Sequence, residues 1–207
     1  MAHCLEGKLI KQNAIGEVAS LKGGKIDVFI YPDKFKFVRT GTLFLIKSYG
    51  VYPIGMVLKL IHETRTGSFT PLGMTRDELK RRYPDIEDYE KFVATLVYVG
   101  HFDGSEFRQF RASSPLIHDL VFSLDDCLMD FIKHEGKWNF YFLRYFIAEG
   151  ATPFEVKEFF LNYTDFWKEN LSEKREILEA IFESLSFFRM KDIEPYLVEI
   201  IDFFSKL

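Results

Sequence analysis

Apolar and polar positions alternate in short runs through the first half of the chain, and Gly and Pro cut the runs apart. The alternation predicts strands over residues 14–20, 25–31, 42–47, 51–61 and 92–102. Leu21-Lys22-Gly23-Gly24-Lys25 turns the chain between the first two, and Pro32-Asp33 stops the second. Five such runs imply a small closed barrel or curled sheet, because closure removes exposed strand edges. One helical insertion is expected at about 75–91, where Thr75 and Glu78 have capping-box spacing and Pro84 divides the segment in two.

Past residue 119 the period lengthens to that of helices. Ser123 can cap a helix carrying Leu124, Cys127, Leu128, Phe131 and Ile132, ended near Gly136. A second runs over 138–148, with Gly150 as its stop. Thr152-Pro153-Phe154-Glu155 supplies a cap, a Pro at the first helical position and a Glu at the third. That third helix is expected to bury Phe154, Val156, Phe159, Phe160 and Tyr163. Ser172 starts a fourth, with Ile177, Leu178, Ile181, Phe182, Leu185 and Phe188. Asp192 starts a fifth, with Leu197, Ile200, Ile201 and Phe204. The expected architecture is α+β, with a β domain over 1–118 and a compact α-helical bundle over 119–207.

Charge sharpens that division. Residues 1–118 carry 17 Lys and Arg against 13 Asp and Glu, a balance of +4, whereas residues 119–207 carry 10 against 18, a balance of −8. The 207 residues together stand at −4, which argues against a protein that coats DNA. Only two Gln and four Asn accompany many Lys and Glu, a bias that suits a thermophile. The longest apolar runs fall far short of the ~20 residues of a membrane helix. The N-terminal run lacks the apolar stretch of a signal peptide, so a cytoplasmic location is expected, with no membrane partner. Cys4 and Cys127 are then expected to be reduced thiols, Cys127 within a core.

The first half resembles a HAS-barrel, the small β-barrel at the N-terminus of HerA-type DNA translocases and, in related form, of rotary ATP synthase subunits. The resemblance lies in Ile15-Gly16-Glu17-Val18, in Val38-Arg39-Thr40-Gly41-Thr42-Leu43-Phe44-Leu45-Ile46 and in Pro53-Ile54-Gly55-Met56-Val57. Residues 93–99 and 110–115, followed by Leu120-Val121, are similar to the closing strands and Pro-containing exit of that barrel. It covers roughly residues 13–122. In the translocases a P-loop ATPase follows the barrel. Here no Gly-x-x-x-x-Gly-Lys-Ser/Thr occurs, and Gly23-Gly24-Lys25-Ile26 lacks both the first glycine and the hydroxyl. The resemblance therefore implies an oligomerisation and partner-docking role without the motor, with translocases or the nucleases they carry in DNA-end processing as partners.

No other chemistry is spelled out. His3, His62, His101, His118 and His134 show no zinc spacing, and His62 and His101 are expected at the surface. Asp85, Glu87, Asp88 and Glu90 read as a solvated helix face, and Asp125, Asp126 and Asp130 as companions of a helix start. Pro32-Asp33, Pro84-Asp85 and Glu155-Val156-Lys157 imitate a nuclease's carboxylates and lysine, but Glu155 belongs to a helix cap. No nucleophile elbow occurs, and neither a metal nor a cofactor is called for.

Basic residues are left. Lys34-Phe35-Lys36-Phe37-Val38-Arg39 interleaves cations with aromatics, as barrels that stack single-stranded nucleic acid do. The competing reading is an alternating strand, its Phe inward and its Lys outward. Arg108 and Arg111 flank Gln109-Phe110 and offer a second basic contact; Lys80, Arg81 and Arg82 form a third cluster. Two functions stay open: a non-enzymatic interaction protein that self-associates or docks a protein partner, and a nucleic-acid-binding barrel using Lys34, Lys36, Arg39, Arg108 and Arg111.

Overall fold

Alternation in the first half produces a barrel. The computed structural model describes residues 3–64, 76–82, 90–112 and 114–207. Strands β1 (Gly16–Lys22), β2 (Lys25–Ile30), β3 (Leu43–Lys47), β4 (Tyr52–Thr64), β5 (Glu90–Phe102), β6 (Phe107–Arg108) and β7 (Leu120–Ser123) form one antiparallel sheet. Its order is β2-β1-β7-β3-β4-β5-β6, and β2 also pairs with β5, from Lys25 opposite Val97 to Ile30 opposite Phe92. Six strands thus close on themselves, and β6 continues along the free stretch of β5. Two of the seven strands were not predicted from periodicity. Strand β6 has two residues and β7 has four, too few to show a period of two. Strand β7 lies beyond the expected division at 118, yet it is the strand that joins β1 to β3.

The barrel interior is filled. Val18, Val28, Ile30, Phe44, Ile46, Leu96 and Val121 point inward and expose no surface. The outward side chains of β3, β4 and β5 are apolar as well. Leu43, Leu45, Ile54, Met56, Val97, Val99 and Phe102 belong to a second core shared with the helices. This is why β3 reads as an unbroken apolar run: it is buried on both faces.

The helices that share this core are α2 (Leu128–Ile132), α3 (Phe142–Ala148), α4 (Pro153–Asn162), α5 (Thr164–Glu169), α6 (Lys174–Leu185) and α7 (Met190–Ser205); α1 (Arg76–Arg82) stands in the insertion. The expected capping box starts α4: Glu155 accepts the Thr152 backbone N–H at 2.7 Å. The helix expected to end near Gly136 stops at Ile132, and a two-stranded hairpin of β8 (Lys133–His134) and β9 (Lys137–Trp138) carries the glycine in its turn. The helix expected from 138 begins at Phe142, and α5 was not expected at all. Phe154, Phe182 and Ile201, expected in the core, are 63%, 46% and 55% exposed.

The shared core centres on Trp167. It exposes no surface, and the rings of Trp138, Phe140, Phe159, Phe160, Phe166 and Phe204 surround it with centroids 4.8–6.3 Å away. Gln109 ties barrel to helices. Its Nε2 donates to Phe131 O at 2.8 Å and Asn139 O at 2.9 Å, and its Oε1 accepts from Phe142 N at 3.0 Å. Three backbone groups between elements are satisfied by one amide side chain.

Cys4 and Cys127 are joined in a disulfide, not reduced as expected, with Cα atoms 5.4 Å apart. The link clamps the N-terminal segment onto the 3-10 turn Asp125–Cys127. Leu5, 2% exposed, enters the shared core beside it, and Lys8 pairs with Asp126 at 2.5 Å. A sequence separation of 123 leaves no local signal for the pairing.

The capping residue Thr75 and the acidic cluster Asp85, Glu87 and Asp88 lie outside the described residues, as does the side chain of Glu90. Among the described residues no helix is long and apolar enough to cross a membrane.

Candidate functional site

The chain between β2 and β3 forms an exposed aromatic–basic feature of the barrel. It is not the alternating strand that the pattern allowed. Lys34 N donates to Tyr31 O at 2.8 Å, and Phe35–Phe37 follows as a 3-10 turn. The turn breaks the alternation by pointing its two rings in different directions. Phe35 stacks 4.3 Å from Phe92 and tilts against His62, while Val38 is buried at 4%. Phe37 is left 62% exposed, with Lys36 Nζ 4.9 Å from its ring centre.

The loop is pinned where it meets α4. Gly41 sits at φ +82°, and an added Cβ would lie 2.5 Å from Phe159 N, so only glycine fits against that helix. Asn162 Nδ2 donates to Thr40 O at 2.6 Å, and Arg39 N donates to Thr42 Oγ1 at 3.3 Å.

Between this loop and the α4–α5 junction lies a groove of about 490 Å³. Lys36, Phe37, Arg39 and Thr42 form one side; Asp125, Leu161, Asn162, Tyr163, Thr164, Asp165 and Phe166 form the rest. Tyr163 OH donates to Asp125 Oδ1 at 3.0 Å and accepts from Leu43 N at 3.1 Å. Burial, with the Asp125 charge beside it, pushes the Tyr163 hydroxyl well above its ordinary value of 10.0, so it stays protonated at neutral pH. The groove lining thus carries both signs of charge: Lys36 and Arg39 from the loop, and Asp125 and Asp165, the latter paired with Lys168 at 3.4 Å.

The structure separates the five basic residues proposed for binding. Lys34, Lys36 and Arg39 share the loop after β2, whereas Arg111 lies by Gly24, before β2 begins. A six-residue strand, about 20 Å, stands between the two groups. Lys34 pairs with Asp33 at 3.2 Å, and Arg39 makes no side-chain ion pair among the described residues. Arg108 is held by Asp103 at 3.0 Å and by Glu106. Asp103 also accepts from Ser105 and the Glu106 backbone, which hold its carboxyl well below the usual range. Arg111 donates to Tyr98 O at 2.9 Å and Glu149 at 3.0 Å, and it stacks over Tyr145. Both guanidinium groups thus serve internal partners.

Other candidates resolve simply. His101 is buried, not at the surface, with Nδ1 2.8 Å from Phe110 O. Lys157 pairs with Glu199 at 2.5 Å and Asp202 at 3.2 Å across the α4–α7 contact, while Glu155 closes the cap of α4, so the nuclease-like residues hold helices in place. No group of three or more potential metal-ligating side chains gathers among the described residues. The side chains of His3 and Lys80 lie outside the described residues, and Arg81 and Arg82 are exposed on α1.

Sequence reasoning missed Tyr163 and Asp125 as groove residues. The signal for Asp125 was absorbed by its helix-start position, and nothing local marks Tyr163. The chain matches no family model, and no curated protein matches it.

Proposed function

We propose that this chain is a non-enzymatic protein-interaction module that docks a protein surface on the loop between β2 and β3 and the groove beside it. The observation that carries the reading is Phe37, 62% exposed between Lys36 and Arg39 in a groove whose lining also holds Asp125 and Asp165. The barrel interior is packed with apolar side chains, which favours recognition on the outer surface. An exposed aromatic anchor flanked by charge is the usual make-up of a protein contact.

The nucleic-acid reading has one favourable feature, the cation–aromatic pairing of Lys36 and Phe37. Against it, the basic patch is confined to one loop, and Lys34 within it is already paired with Asp33. Arg108 and Arg111 have internal partners and stand away from the loop. By resemblance to HAS-barrels, the docked partners would be translocases or their nucleases in DNA-end processing. The division into a barrel domain and a helical bundle, and a cytoplasmic location, belong to the same reading. A disulfide is compatible with that location in a thermophile, whose intracellular proteins keep such bonds.

The test is a pair of titrations. Sedimentation velocity should show the 24.4-kDa chain in larger species, alone or with a candidate partner. Single-stranded oligonucleotides at low salt should give flat binding curves. Micromolar oligonucleotide binding with a steep salt dependence would replace this reading with the nucleic-acid one.

A further inference from the structure

The helical half exposes a surface that matches the loop in the opposite sense. On α6, Glu176, Glu179 and Glu183 follow the spacing of one helix face, and all three are exposed. Phe182 lies among them at 46% exposure, and Phe187 just past the helix end at 78%. Arg175 pairs with Glu179 at 2.8 Å and leaves the face net acidic. Arg144 sits 4.3 Å from the Tyr141 ring centre and 5.5 Å from that of Phe187, with its Nε on Ser184 O. Phe187 is thus held in place while its ring remains open to solvent.

Each surface has what the other lacks. Lys34, Lys36 and Arg39 flank an exposed Phe37, whereas three exposed glutamates share the helix of exposed Phe182, with Phe187 and Arg144 beside its end. No hydrogen bond, ion pair or ring contact joins the two surfaces within the chain among the described residues. The balance of +4 before residue 119 and −8 after it has the same polarity.

Resting on the interaction reading above, we infer that the loop's partner is a second copy of this chain, docked head-to-tail through the outer face of α6. Such a contact uses two different patches, so it repeats from subunit to subunit and closes into a ring or grows as an open chain. The patches are small. The contact belongs with weak interfaces below about 1,200 Å², and it forms at high protein concentration. Opposite charges speed encounter and fix the register, while the aromatic residues supply contact area.

A charge-swap experiment tests this. One variant carries Lys34→Glu, Lys36→Glu and Arg39→Glu; the other carries Glu176→Lys, Glu179→Lys and Glu183→Lys. Sedimentation velocity is run from about 10 to 500 μM at low and high salt, where screening lengths differ about threefold or more. The expected weight-average mass of the natural chain roughly doubles across that range at low salt and falls back at high salt. Each variant alone binds itself at least about tenfold more weakly, since like charges then face each other. Mixing the two variants restores association, because each reversed surface meets its complement. Melting temperatures near that of the natural chain show that both variants fold.

Several outcomes overturn the inference. A mixture no more associated than either variant alone overturns it, and so does a variant that self-associates as the natural chain does. In the latter case the chain assembles through another surface, and the interaction reading stands. A monomer at every concentration also overturns it, and binding of a different protein at Phe37 then preserves the broader reading. Oligonucleotide binding that the loop variant abolishes overturns both.

Discussion

Trp167→Ala is expected to lower folding stability by about 3–5 kcal/mol, the range for removing a buried large aromatic. The side chain exposes no surface and touches six other aromatic rings, so alanine leaves a cavity that the helices cannot collapse around. One feature works in the other direction. Trp167 Nε1 is buried without a hydrogen-bond partner among the described residues. An orphaned donor costs about 1–3 kcal/mol, and the mutation removes that cost, which places the loss near the lower end. For a chain of this size the melting temperature should fall by about 6–12 °C. Trp167→Phe keeps most of the packing and removes the N–H, so its loss should be near 1 kcal/mol. Urea unfolding of the three proteins is the check. Equal losses for alanine and phenylalanine would mean that the ring cluster is not the packing centre.

Reduction of the Cys4–Cys127 disulfide is expected to have an effect of similar size. The bond joins positions 123 apart, and the loop-entropy account assigns about 5 kcal/mol to a closure of that length. Measured losses run from about 2 to 5 kcal/mol, or roughly 4–20 °C in melting temperature. Comparing one preparation with and without a phosphine reductant changes no side-chain packing other than the bond itself. Mass spectrometry of the untreated chain should show it two hydrogens lighter than the reduced one. Hydrogen exchange should then rise first in residues 3–13 and in the turn Asp125–Cys127, which the bond holds together. An unchanged melting temperature would show that the clamp contributes nothing to stability.

The five longer strands were legible because each carries an inward face that no other part of the chain replaces. Their number implied a small closed barrel or a curled sheet, and the pairing of β2 with β5 makes it the former. The short strands were not legible from periodicity, and the reason is length: β7 is defined by its partners β1 and β3 rather than by its own four residues. Helix starts were legible where side chains themselves make the cap, as at Thr152 and Glu155. Burial was less so. Phe154, Phe182 and Ile201 have helical spacing, yet α4, α6 and α7 turn them to solvent, because the shared core is already filled by neighbouring Phe residues. Spacing reports a face and not which neighbour covers it.

The candidate site divides in the same way. Lys34, Lys36, Arg39 and the neighbouring Phe were visible as a local pattern. What local pattern could not give was the 3-10 turn that buries Phe35 and exposes Phe37, since Phe92 and His62 set it from distant strands. The groove carboxylates were equally hidden. Asp125 reaches the groove because Tyr163 binds it, and those residues are 38 positions apart. Arg108 and Arg111 resembled the loop in sequence but had already been claimed by Asp103, Glu106 and Glu149.

Phe37 and its flanking cations are proposed to dock a protein. A photo-cross-linking amino acid placed at position 37 tests it directly. Irradiation of the purified chain at high concentration, and of the chain with its cell extract, should yield a covalent protein adduct, with label in the α6 segment when a second copy is the partner. A label confined to added oligonucleotide, or no adduct under any of these conditions, would contradict the account.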